Sequence, residues 1–267
     1  MKFLIITNDP AICTTAVNSG VDYIFVDLEQ EGKQNRQGHT KSFISNHKLA
    51  DLGLIRRHIR EKKLLVRINP LGRNSAEEIE RVIDLGADAI MLPMFKNLDE
   101  LQLVVAQIAG RVEFWPLVET LSACRSISRA SLVDLEGVSS FYFGLNDLHL
   151  ELKLKFLFSS LKNEEVYSCM AHCRHLGFSF GFGGISTLDS GRLSGRHVLS
   201  LHKVLGSSSV ILSRSFSTAV AQDKRFFGSE LAKIRDFETE LDLNIRDAEA
   251  LGREAWVLIE QIEALDV

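Results

Sequence analysis

Two carboxylates and one guanidinium sit where apolar runs of this sequence stop. VEFWPLV (112–118) ends at Glu119, VSSFYFGLN (138–146) at Asp147 and LLV (64–66) at Arg67. Continuous apolar runs rich in Val, Phe and Tyr read as strands buried on both faces. Lone charges are excluded from such cores unless they are paired or bind a cation. Two carboxylates one strand–helix repeat apart point to a divalent cation held by oxygen, which suits Mg2+ or Mn2+ better than zinc. An arginine at another strand end needs an anion, and its planar fork matches a carboxylate. Together these residues suit a 2-oxo acid that chelates the cation through its carboxylate and keto oxygens. The cation then stabilises the enolate formed when a bond to C3 breaks or forms.

Eight apolar runs must position these groups. Besides the three above they are KFLIIT (2–7), DYIFVDLE (22–29), DAIMLPM (88–94), FSFGFGG (178–184) and SVILSRS (209–215). Helix-period segments lie between them, such as AEEIERVIDLG (76–86) and LDELQLVVAQIAG (98–110), each stopped by glycine. Strand and helix repeated eight times predicts a (β/α)8 TIM barrel, and the Gly-rich fingerprint of a dinucleotide fold is absent. Active-site groups of a barrel lie at the C-terminal ends of its strands. That gives Asp27, Glu29, Arg67, Pro93, Glu119, Asn146 with Asp147, the 181–186 loop with Gly183 and Gly184, and Ser213 with Arg214. Arg67, Pro93, Asn146, Gly183, Gly184 and Ser213 are the expected substrate contacts. The glycine-rich loop either offers backbone N–H groups to an anion or packs tightly at a barrel corner.

Plainer readings compete. Glu119 and Asp147 can serve as helix N-caps. Arg67 can pair with Asp27 or Glu29. Cys169, His172 and Cys173 share one helix face, but a single helix cannot close a four-ligand zinc site.

The chain has 267 residues, 45% of them hydrophobic and 25% charged, with a net charge of -4 and no basic block. Nucleic acid and anionic membrane are therefore not expected partners. Four scattered cysteines form no disulfide framework, the first residues lack the features of a signal peptide, and no run is long enough to span a membrane. The cytoplasm is the expected compartment. Residues 1–225 read as the catalytic barrel and 226–267 as a helical extension, one long helix or two with a break near Gly252. In a monomer its Ile245, Leu251, Trp256, Ile259 and Ile262 are expected to face water, which predicts a homo-oligomer built on isologous dimers.

VDLE (26–29), VRIN (66–69), IDLGADAIMLP (83–93), PLVET (116–120) and FGLNDL (143–148) occur in the order in which the HpcH/HpaI aldolase and citrate lyase β-subunit family carries them, and the chain resembles that family over most of 21–148. The resemblance implies that Glu119 and Asp147 ligate Mg2+ or Mn2+, that Arg67 is the family's site arginine, and that Asp84 lies near the mouth of a neighbouring subunit. It implies a metal-dependent carbon–carbon lyase acting on a 2-oxo acid, with citrate lyase-like acyl-thioester cleavage as the alternative. One departure matters. The residue after the VDLE glutamate, histidine in the aldolase branch and aspartate in the lyase branch, is here Gln30, which does not titrate. The base is then a metal-bound hydroxide, Glu29, or a histidine of the long polar stretch 31–49, His39 or His47. A non-catalytic oxo-acid or sugar-acid binder that has lost its base is the rival from another class.

Overall fold

The computed structural model describes residues 1–30, 46–59, 61–213, 216 and 224–265. His39, Arg214 and most of the 31–49 stretch lie outside them. Eight parallel strands close into a barrel in chain order: β1 Lys2–Ile6, β2 Tyr23–Asp27, β3 Lys63–Arg67, β4 Ala89–Leu92, β5 Glu113–Val118, β6 Phe141–Phe143, β7 Phe180–Ile185 and β8 Ser209–Leu212. The helices are α1 Pro10–Asn18, α2 Leu49–Ile59, α3 Ser75–Asp84, α4 Leu98–Ile108, α5 Leu121–Ile127, α6 Leu145–Glu151, α7 Glu164–His175, α8 Gly195–Leu205, α9 Lys224–Leu243 and α10 Ile245–Leu265.

Local chemistry sets the boundaries. Asp9 caps α1 ahead of Pro10, and Asn97 caps α4 by accepting from the Glu100 N–H at 3.0 Å. Positive φ angles at Gly86 and Gly110 end the segments that the sequence stops at glycine. Inside the barrel Leu4, Phe25, Leu65, Met91, Trp115, Leu117 and Tyr142 interdigitate, while the larger core lies between strands and helices. At the N-terminal end Tyr23 and Trp115 both donate to Glu113, at 2.9 and 3.0 Å. Gly181 has a packing reason. A Cβ there would overlap the Ser209 hydroxyl and the Tyr142 ring. The Tyr142 hydroxyl spans the irregular β7–β8 junction, donating to the Gly183 carbonyl at 2.7 Å and accepting from the Ile211 N–H at 2.9 Å.

Two expectations about the tail are corrected. α9 packs against α1 and α8, so it is the eighth helix of the ring, and the part beyond the barrel is α10 alone. The break falls at Asn244, between the two helices, where the Asn244 carbonyl accepts from the Asp247 and Ala248 N–H groups and its Nδ2 donates to the Asp247 carboxylate. Gly252 instead lies within α10, where its missing side chain lets Val204 of α8 approach; a Cβ would come within 2.9 Å of the Val204 side chain. α10 thereby lies on its own barrel. Ile259 and Ile262 are buried, Leu251 and Trp256 are half-buried, and of the five stripe residues only Ile245 is exposed. No described helix is long and apolar enough to cross a membrane.

His202, on α8, is fully buried and stacked on Phe182 with ring centroids 3.8 Å apart. Ser207 donates its hydroxyl to the Phe180 carbonyl, so His202 Nδ1–H donates to Ser207 Oγ at 2.8 Å and bare Nε2 has no partner among the described residues. Burial, helped by the N-terminal ammonium, pushes the His202 pKa down to about 3 from 6.5. The folded state then refuses a proton that the unfolded chain accepts below about pH 6.5, so stability is lost as pH falls from there toward 3. The slope is on the order of 1 kcal/mol per pH unit. We expect His202→Phe to flatten the loss of urea stability between pH 6 and 4; an unchanged slope would assign the acid sensitivity elsewhere.

Candidate active site

The mouth of the barrel is built around Arg67, the last residue of β3. The β2–β3 register sets it directly beside Asp27, the last residue of β2. Its fork lies on that carboxylate, Nε to Oδ1 at 2.8 Å and Nη2 to Oδ2 at 2.7 Å. The remaining nitrogen, Nη1, lies 3.3 Å from Glu29 and 3.9 Å from Glu119. The guanidinium expected to grip a substrate therefore has its two-pronged edge on Asp27 and offers only the Nη1 side to the mouth. Burial works to lower the Arg67 pKa, but Asp27 first, then Glu29 and Glu119, outweigh it and hold the arginine charged.

Glu119 follows β5 directly and is almost completely buried. The Met94 N–H donates to its Oε2 at 3.2 Å, and Met94 holds a left-handed backbone, φ 57°, to do so. Pro93 precedes it, buried at the end of β4. Gly144 makes room for the same carboxylate, since a Cβ there would fall 2.6–2.8 Å from Glu119 Cγ and Oε1. Burial raises the Glu119 pKa well above the ordinary carboxylate range. Arg67 and the Met94 N–H oppose the rise, while Asp147 and Glu29 add to it.

Asp147 is in the first turn of α6, because β6 ends at Phe143 and the chain turns helical at Leu145. Neither carboxylate is a helix cap. Thr120 caps α5 by accepting from the Ala123 N–H, and Gly144 stands at the N-cap of α6. Asn146 is exposed beside Asp147. Gly183, Gly184 and Ser213 meet at the β7–β8 end of the mouth, where the Ser213 N–H donates to the Ile185 carbonyl at 2.7 Å. His47 is buried, with Nδ1 accepting from the Asp27 N–H at 3.0 Å, so its other nitrogen, Nε2, carries the proton of the neutral ring. Asp84 is not at this mouth. It ends α3 at the opposite face of the barrel and is exposed, so it cannot serve its own chain's site.

The sequence reading missed the brace behind these residues. The Gln30 N–H donates to Asn69 Oδ1 at 2.9 Å, and Asn69 Nδ2 donates to Glu78 Oε1 at 2.8 Å. Glu78 in the first half of α3, nine residues after Asn69, was the available signal. In α7, Cys169 and Cys173 are core residues and His172 Nε2 lies 2.8 Å from the Ala130 carbonyl.

Three carboxylates lie within 4 Å of one guanidinium. The buried Glu119 carboxylate, with Asp147 near enough to raise its pKa further, fits a divalent cation held by oxygen. Among the described residues no group of three or more His, Cys, Asp or Glu side chains is arranged to hold a metal alone. A two-carboxylate site completed by water and substrate suits Mg2+ or Mn2+.

Functional side chains of a (β/α)8 barrel gather at the C-terminal ends of its strands, where these charges lie. The chain belongs to the HpcH/HpaI aldolase/citrate lyase family, whose pattern it matches over residues 3–191. Family membership supports lyase-type chemistry, and the family is generally dependent on a divalent metal. An HpcH/HpaI aldolase/citrate lyase family protein from Burkholderia cenocepacia J2315 has a similar structure, with TM-score 0.62, 14% identity, and coverage of 88% of this chain and 94% of that one. RipC from Yersinia pestis is similar with TM-score 0.54, 18% identity, and coverage of 83% and 94%. At these identities the likeness is one of fold. No curated protein sequence matches the chain.

We expect Arg67→Ala to cost about 3–5 kcal/mol of folding stability in metal-free protein, because it strands buried carboxylates without their counter-charge. Urea unfolding at pH 7.5 checks this; wild-type stability in the variant would show that the carboxylates do not depend on Arg67.

Proposed function

We propose that this protein is a divalent-metal-dependent carbon–carbon lyase acting on a 2-oxo acid. The supporting observation is the buried Glu119 carboxylate, with Asp147 near it and Arg67 Nη1 facing it. Glu119 and Asp147 would hold the ion. A divalent cation bound there supplies Lewis-acid stabilisation of the negative charge that develops on the keto oxygen when the bond to C3 breaks or forms. Arg67 Nη1 orients the substrate carboxylate from one side only. Pro93, Asn146, Gly183, Gly184 and Ser213 line the path for the rest of the molecule.

Proton transfer falls to Glu29. It is buried, it accepts hydrogen bonds but donates none when ionised, and its Oε2 is 3.3 Å from Arg67. His47 is a poorer base while Nδ1 accepts from Asp27, because the remaining nitrogen already carries the proton. Gln30 is exposed, and its amide does not titrate, so it is given no proton-transfer role. The chain passes from β4 at Leu92 to α4 at Leu98 without a long loop, and this favours citrate lyase-like cleavage of an acyl thioester as the second reading. For Asp84 to act, a second copy must bring it to this mouth, which is the reading in which the protein is a homo-oligomer.

Three results follow. Pyruvate release from 4-hydroxy-2-oxo acids should require Mg2+ or Mn2+, and full activity after EDTA treatment would sink the metal role. Arg67→Lys should lower kcat/KM by about ten- to a hundredfold. Glu29→Gln should lower kcat by about a hundredfold or more, with His47→Ala keeping most activity; the reverse order would make His47 the base.

A further inference from the structure

α10 ends beside residues 155–162, the stretch that packs on the helix carrying Asp147. Glu263, in its last turn, uses both carboxylate oxygens on one short stretch of chain. Oε1 accepts from the Lys155 N–H at 2.9 Å, and Oε2 accepts from the Phe156 N–H at 2.9 Å and the Ser159 hydroxyl at 2.6 Å. Burial works to raise its pKa, but these hydrogen bonds outweigh it and hold the carboxyl below the usual range, so it is ionised when it accepts them. One turn earlier Glu260 pairs with Lys162, at the far end of the same stretch.

That stretch backs α6. It leaves the helix through Lys153, which has a left-handed backbone with φ 56°, and returns to it through the Leu154 N–H, which donates to the His149 carbonyl at 2.8 Å. Phe156 and Phe158 are buried with ring centroids 5.5 Å apart. Phe158 and Leu145 meet at Gly183, where a Cβ would lie 3.2 Å from both Phe158 Cε1 and Leu145 Cδ1. Leu145 is two residues before Asp147. The other end of α6 is fastened separately, by Glu151 accepting from the Leu121 N–H at 2.9 Å, two residues after Glu119.

The geometry points to Glu263 as a positioning residue: through three hydrogen bonds it fixes the 155–159 turn that holds α6, and with it Asp147, against the mouth. This rests on the reading of Glu119 and Asp147 as the cation site. Removing Glu263 leaves both ligands in place but frees one end of the helix that aims the second. Cation affinity falls before the barrel loosens.

The test is Mn2+ binding to the full-length protein, followed by electron paramagnetic resonance of free Mn2+, with pyruvate release measured in parallel. Glu263→Ala should bind Mn2+ about tenfold more weakly, and saturating Mn2+ should restore most of its kcat. A purely structural defect would lower the active fraction and would not be rescued. Val257→Ala, exposed on the same helix, should bind like wild type. Ser159→Ala removes one of the three bonds and should weaken Mn2+ about two- to threefold, which covers the case in which Glu263→Ala does not fold. Wild-type affinity in a folded Glu263→Ala protein, or in Ser159→Ala should Glu263→Ala not fold, overturns the positioning role alone. A wild-type protein that binds no Mn2+ overturns the cation site and the positioning role together.

Discussion

The pairing of Arg67 with Asp27 is the constraint on which the mouth depends. A buried guanidinium and a buried carboxylate are each costly alone, and in a two-pronged pair they offset one another. The pair is made by sheet register, since Asp27 and Arg67 end adjacent strands at the same level. It turns the remaining guanidinium nitrogen toward Glu29 and Glu119, with Asp147 close by. The cluster is held by rigid means: the strained Met94 amide, the space at Gly144, and the brace from Gln30 through Asn69 to Glu78.

Much of this was legible in the chain because it depends on local pattern. A charge that ends a continuous apolar run marks a strand end, and the alternation of strand and helix patterns marks the barrel. Both hold here for Glu119, Arg67 and all eight strands. The sequence offered Asp27 or Glu29 as partners of Arg67 but not which of them takes the fork, because register decides which strand ends stand level, and register comes from packing the whole sheet. Asp147 moved from strand end to helix because β6 is only three residues long. The apolar stripe of the tail was visible, but its cover was not. That cover comes from Val204 reaching Gly252, a fit between two surfaces 48 positions apart in a chain whose pattern gives no sign of it.

Residue 30 shows how this architecture separates the support of the mouth from the side chain presented there. At residue 30 the part that holds the mouth together is the backbone N–H, fixed to Asn69 and through it to Glu78 on α3. The side chain of Gln30 contributes nothing to that brace and is exposed. Any residue other than proline keeps the same N–H, so the group at 30 is free to titrate or not without disturbing Arg67, Asp27 or Glu119. His47 occupies neighbouring space by another route, entering from the far end of the 31–49 stretch and accepting the Asp27 N–H. The carboxylates and the arginine are locked by charge and register, whereas the side chain at residue 30 hangs from the frame at one backbone N–H. A change of side chain can therefore occur at residue 30 while the barrel and its charged cluster stay as they are.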